Sequence, residues 1–128
     1  MAKWLTQEWM DASLALAADQ PEIPGATARI QYVVTGGPDG DVSYYWAVED
    51  GHLRENRLGV LDNAEVTLTE TYEDAQAMQK GELDMNAAFF QGRVKVDGDV
   101  AKLMSLLPIT MSPDFARFQQ AVQDMTEY

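Results

Sequence analysis

Residues 81–99 read GELDMNAAFFQGRVKVDGD, and this stretch decides the fold. Asp84 can cap a short helical turn that has an apolar face. After Gly92, apolar and charged residues alternate, which predicts a strand that is buried on one side. Gly98 and Asp99 then predict a turn into another helix, because aspartate is a favoured N-cap residue. The stretch therefore predicts a helix, a strand and a second helix in close succession.

The periodicity of apolar residues divides the rest of the chain in the same way. Asp50 and Gly51 form a strong two-residue hairpin signal between two predicted strands. Pro108 is expected to end the helix that Asp99 begins. Strands are predicted over 30–34, 42–48, 52–57, 64–69 and 93–97, and helices over 6–18, 71–81, 84–89, 100–107 and from 112 onward. A run of strands with helices at both ends predicts an α+β fold with a largely antiparallel sheet, covered by helices on one face.

Length and charge limit the classes of function. The chain has 128 residues, so we expect a single domain over 1–128. Nine basic and 21 acidic residues give a formal net charge of −12. This acidity argues against nucleic acid as a partner, since phosphates require a basic surface. It also argues for at most transient contact with anionic membranes.

No targeting signal is visible in the sequence. Acidic and amide residues interrupt the first apolar segment, where a signal peptide needs a continuous apolar run. No window approaches the ~20 apolar residues of a membrane span. A Ser-Lys-Leu peroxisomal address is absent at the C-terminus. We therefore expect a cytoplasmic protein.

Residues for catalysis or metal binding are scarce. There is no cysteine and His52 is the only histidine, so zinc sites and Cys/His dyads are not expected. The acidic turns around Gly40 and Gly98 lack the ligand spacing of a calcium loop. Tyr32 or Tyr44 (or Tyr45 beside it) could act with a carboxylic acid, as in a small isomerase with an apolar site. Every carboxylate lies in a polar local context, however, and we expect neither a cofactor, a metal nor an enzyme.

Residues 81–99, with the preceding Ala-x-Val-Thr-Leu-Thr strand at 64–69, resemble the signature of the sterol carrier protein 2 family. The matching features are Gly81-x-Leu83, the short helix ending in Phe89-Phe90-Gln91-Gly92, and the Gly98-Asp99 turn. The resemblance implies a five-stranded sheet that encloses an apolar lipid tunnel with the helices. It also implies noncatalytic binding or transfer of a sterol, a fatty acid or a related ligand. The segments that line such a tunnel carry Met85, Phe89, Gln91, Met104, Leu107, Phe115 and Phe118.

Two alternatives to a lipid carrier stay open. The apolar faces of the helices are rich in methionine, which suits either an ordinary core or an adaptable cavity wall. With a filled core, the domain would be a structural or dimerisation module. With a tyrosine and a carboxylic acid meeting in the cavity, it would be a small isomerase-like enzyme. The strong acidity also argues against the polyanionic headgroup of acyl-CoA, and the oligomeric state is not predicted.

Overall fold

The structure is a computed structural model that describes the backbone of residues 1–128 and every side chain except that of Asn86. Strands and helices follow one another along the chain with short connections. In chain order they are β1 (Ala2–Lys3), α1 (Gln7–Leu16), a 3₁₀ turn (Ala17–Asp19), β2 (Ala28–Gly37), β3 (Gly40–Glu49), β4 (His52–Leu58), β5 (Val66–Thr71), α2 (Tyr72–Gln79), α3 (Met85–Phe90), β6 (Lys95–Gly98), α4 (Val100–Met104), α5 (Leu107–Thr110), α6 (Pro113–Met125) and β7 (Thr126–Glu127).

Five of these strands form one sheet in the order β4-β3-β2-β5-β6. Strands β2 and β5 pair in parallel, and the other three pairings are antiparallel. One face of the sheet, here called the inner face, packs on helices: Ile30, Val66 and Leu68 share a core with Ala88 of α3 and Phe115 of α6. The predicted α+β fold, with a five-stranded, largely antiparallel sheet covered on one face, is confirmed.

Local signals formed several of the elements as predicted. Asp50 and Gly51 both have positive φ angles, 48° and 85°, which a type I′ turn between β3 and β4 requires. The side chains of Asp84 and Asp99 accept hydrogen bonds from the first-turn N–H groups of α3 and α4. Ser112 caps α6 in the same way. These caps satisfy donors that a helix cannot pair internally.

The predicted helix over 100–107 is wrong in its extent. Helix α4 ends at Met104, and a separate helix, α5, begins at Leu107 with Pro108 in its first turn. Proline has no N–H and a fixed φ, so it is as suitable at the start of a helix as it is disruptive inside one. The break turns Leu106 into the sheet-facing core, where it is buried.

A second, two-stranded sheet was not predicted. Strands β1 and β7 pair in parallel, with Ala2 opposite Thr126. The indole Nε1 of Trp9 donates a hydrogen bond of 2.8 Å to the Thr126 hydroxyl, and both residues are buried. This pairing holds α1 against α6 at one end of the inner face. None of the described helices is long and apolar enough to cross a membrane.

Candidate functional site

A cavity of about 340 Å³ lies between the inner face of the sheet and helices α1, α2 and α6. Its two walls differ in chemistry. Side chains from the helices and their connections are mostly apolar and include Met78, Leu83 and Val122. The sheet wall carries a polar series: Tyr32, Tyr44, Trp46, Asn56 and Glu70.

Strand register explains how the polar series forms. Tyr32 on β2 lies opposite Tyr44 on β3, and Trp46 on β3 lies opposite Asn56 on β4. Side chains two residues apart on a strand share a face, so Glu70 follows Leu68 onto the inner face of β5. The result is a diagonal of polar groups that crosses four of the five strands.

The cavity opens beside the connection between α2 and α3. Gly81, Asp84, Met85 and Gln119 all line it and are all exposed, so they mark its mouth. At Gly81 an added Cβ would stand 3.3 Å from the side-chain nitrogen of Gln123 on α6. The α2–α3 connection and α6 therefore approach each other closely at this opening.

A smaller cavity of about 40 Å³ adjoins the first one. The two share Trp46, Thr110, Phe115 and Phe118 as wall residues. The smaller cavity is otherwise lined mainly by apolar residues, among them Leu106. Rotation of either phenylalanine side chain would change the partition between the two spaces.

Glu70 is the titratable group that stands out in the larger cavity. Burial raises the pKa of its carboxyl to about 7, and the nearby negative charge of Asp74 adds to the rise. Burial also raises the pKa values of the Tyr32 and Tyr44 phenols, and the charge of Glu70 contributes to both shifts. The two phenol rings stack with their centroids 4.7 Å apart. A carboxyl and two phenols thus face one cavity, and the expectation that every carboxylate lies in a polar setting is wrong for Glu70.

Two further polar atoms on the sheet wall have no hydrogen-bond partner among the described residues. They are the indole Nε1 of Trp46, which is a donor, and the amide Oδ1 of Asn56, which is an acceptor. Buried polar atoms are nearly always paired, so two orphans on adjacent strands point to a group that is supplied from the cavity.

Comparison with known proteins places this architecture. The model of the SCP-2 sterol transfer family matches residues 11–110, which is most of the chain. The chain belongs to the SCP-2 sterol transfer family. The resemblance drawn from residues 81–99 is therefore confirmed.

Individual relatives of this SCP-2 family member agree with that assignment. Sterol carrier protein 2 of Rattus norvegicus is 30% identical over 87 residues, which cover 67% of this chain but only 16% of the rat protein. A crystal structure of sterol carrier protein 2 has a TM-score of 0.71 at 15% identity and covers 98% of this chain and 100% of that one. The solution structure of palmitated SCP2L2 from Aedes aegypti has a TM-score of 0.62 at 20% identity and covers 82% and 90%. At these identities the structural matches show a shared fold.

The residues predicted to line the SCP-2 tunnel fall into two groups. Met85, Phe115 and Phe118 line the larger cavity, and the two phenylalanines also line the smaller one. The other four line neither. Phe89 is half-buried with its ring centroid 5.6 Å from that of Phe90, Leu107 is half-buried, and Gln91 and Met104 are exposed. A ligand-binding role for all seven stays a prediction, and so does a continuous tunnel.

Sequence reasoning missed Asn56 and Glu70 as residues of this SCP-2 cavity. The signal for Glu70 was the alternation of Val66 and Leu68, which continues by one step onto Glu70. Asn56 lies in a strand that is polar throughout, so alternation could not distinguish its two faces.

Proposed function

We propose that residues 1–128 form one domain that binds and carries a lipid-like hydrophobic ligand without catalysis. The observation that supports this function is the cavity of about 340 Å³ in a member of a sterol transfer family. Ligand pockets in proteins typically measure about 300–1,000 Å³. One relative of the same fold is described as palmitated, which shows that the fold can hold an acyl chain.

The size of the cavity gives a physical reason for an occupant. An empty apolar void costs about 24 cal/mol per Å³, so a volume of about 340 Å³ corresponds to about 8 kcal/mol. That is within the range of about 5–15 kcal/mol for the whole stability of a domain. A ligand that fills the apolar wall removes this penalty, and each methylene transferred from water contributes about 0.8 kcal/mol.

Charge narrows the class of ligand. The formal net charge of −12 repels polyanionic headgroups such as that of acyl-CoA. Glu70 places a carboxyl inside the cavity itself. Ligands with small or uncharged polar groups therefore suit the site better than highly charged ones.

An occluding substitution tests the proposal. Ala75 of α2 is buried and lines the larger cavity, so Ala75→Leu projects a larger side chain into the space that a ligand needs. Ala116 of α6 is exposed and is not among the cavity residues, so Ala116→Leu makes the same change away from the site. We expect Ala75→Leu to reduce binding of Nile red, a neutral fluorophore, at least about tenfold, and Ala116→Leu to leave it unchanged.

Native mass spectrometry of protein purified without detergent gives the second readout. An extractable adduct of a few hundred daltons in the wild type, absent in Ala75→Leu, supports a carrier. A bare mass that stays bare after incubation with fatty acids, sterols and acyl-CoA, together with no Nile red binding, would contradict the proposal. It would instead favour the structural or dimerisation module.

A second candidate function is an isomerase-like proton transfer, and one observation favours it. Glu70, with its pKa raised to about 7, shares a cavity with the phenols of Tyr32 and Tyr44. A carboxyl with such a pKa can exchange a proton near neutral pH. The test is exchange of the α-protons of a cyclic ketone for deuterium, followed by NMR. Exchange that the protein accelerates and Glu70→Gln abolishes would establish this candidate, and no acceleration leaves the carrier.

A further inference from the structure

The unpaired atoms of Trp46 and Asn56 form a complementary pair. The two residues are direct cross-strand partners on β3 and β4, so their side chains leave the same face of the sheet. Both line the larger cavity. One offers an N–H donor and the other a carbonyl acceptor, and neither atom has a partner among the described residues.

The surroundings fix these two groups in place. The Asn56 side chain is 1% exposed, and its Nδ2 donates to the carbonyl of Met10 on α1 at 3.4 Å. That bond orients the amide and leaves Oδ1 as the free atom. The Trp46 ring packs against the Tyr32 ring, with centroids 5.2 Å apart. The donor and the acceptor are therefore held before any ligand arrives, as a specific site requires.

We propose that Trp46 and Asn56 hold the hydroxyl group of a neutral amphiphile, with the apolar body of the ligand against the helical wall of the cavity. This inference rests on the proposed function and names the ligand class: long-chain or polycyclic alcohols. A hydroxyl accepts the Trp46 N–H through its lone pairs and donates its proton to the Asn56 Oδ1. One atom of the ligand thereby satisfies both orphans.

Other head groups satisfy only half of the pair. An ionised carboxylate can only accept, so it leaves the Asn56 oxygen unpaired, and it also enters a cavity that contains the Glu70 carboxyl. An ammonium can only donate, so it leaves the Trp46 N–H unpaired. An ether accepts but does not donate. A buried group that loses its partner is penalised by its desolvation, which makes such a site selective.

A matched series of ligands tests the inference on the intact chain. The probes are 1-dodecanol, its methyl ether 1-methoxydodecane and dodecanoate, each titrated at pH 8 to displace Nile red. We expect 1-dodecanol to bind about tenfold more tightly than the ether, the difference that one buried hydrogen bond produces. Dodecanoate should bind more weakly than the alcohol.

Two variants assign that selectivity to residues. Trp46→Phe removes the N–H and should bring the alcohol-to-ether ratio of affinities close to one. Trp4→Phe makes the same substitution at another residue of the same cavity, and it should change both affinities together and keep their ratio. Circular dichroism and thermal unfolding verify that each variant is folded.

The outcomes separate this inference from the proposed function. If all three probes displace Nile red equally well, the cavity binds lipid but the pair holds no hydroxyl, as expected if ordered water occupies it permanently, and the inference is overturned. If Trp46→Phe keeps the wild-type ratio, the inference is overturned in the same way. If neither Nile red nor any probe binds, the carrier function fails and the inference fails with it.

Discussion

Replacing Glu70 by glutamine should make the protein more stable, and the gain should depend on pH. The carboxyl has a pKa of about 7 in the folded chain against 4.5 for an exposed glutamate. The folded state therefore holds this proton more tightly than the unfolded state. Between these two values the free energy of unfolding falls as pH rises, because the unfolded state releases the proton more readily. The penalty is absent well below pH 4.5 and complete above about pH 7.

The magnitude follows from the two pKa values. At about 1.4 kcal/mol per pH unit, the difference between 4.5 and about 7 corresponds to about 3 kcal/mol. Glutamine has nearly the same shape and no charge, so Glu70→Gln should be more stable than the wild type by about this amount at pH 8. At pH 5 the advantage should nearly vanish, because the wild-type carboxyl is then protonated in the folded state.

Urea unfolding between pH 5.0 and 8.5, followed by tryptophan fluorescence, measures this difference. The control is Glu49→Gln, which removes the same charge at an exposed position at the end of β3. Subtracting the control corrects for the general effect of lowering a formal net charge of −12. A difference between the two variants that is flat across this pH range, or that favours the wild type at pH 8, would refute the assignment of Glu70 as a buried carboxyl.

Three further predictions concern stability. Gly98 and Gly59 both have φ above +110°, but only at Gly98 would a Cβ stand 2.6 Å from the backbone oxygen of Glu65; chemical denaturation should show Gly98→Ala to be destabilised well beyond the ~1–3 kcal/mol strain of Gly59→Ala. Thr126→Val leaves the buried Trp9 N–H unpaired and should cost about 1–3 kcal/mol, and adding Trp9→Phe should make that loss smaller in a double-mutant cycle. A bound ligand at 100 times its Kd should raise the unfolding free energy by about 2.7 kcal/mol in calorimetry, whereas Ala75→Leu should show no such rise.

Local patterns were sufficient to predict the sheet and most helix boundaries. Alternation placed the side chains of β2, β3 and β5 on the correct faces, and capping residues such as Asp84 and Asp99 marked where helices begin. These features depend on neighbours within about five residues, so they are readable from the sequence. Pro108 was misassigned because the same residue can end one helix or begin the next, and only the packing of Leu106 decides between the two.

The polar wall of the cavity could not be predicted from such patterns. Glu70 follows several threonines and looks solvated in sequence, and its burial arises from the parallel pairing of β5 with β2, where it lies opposite Val34. Strands β1 and β7 have only two residues each, too few for any periodicity. In both cases the partner comes from a segment far away in the chain.

The pairing of β1 with β7 sets a timetable for the birth of the site. Trp9 and Thr126 are separated by 117 positions, so this contact closes nearly the whole chain into one loop. Helix α6, which brings Phe115 and Phe118 to the cavity, precedes β7 directly. The ribosome must therefore have delivered almost all of these residues before the cavity has its full wall. Cargo is loaded into a finished protein and is not wrapped by a nascent one.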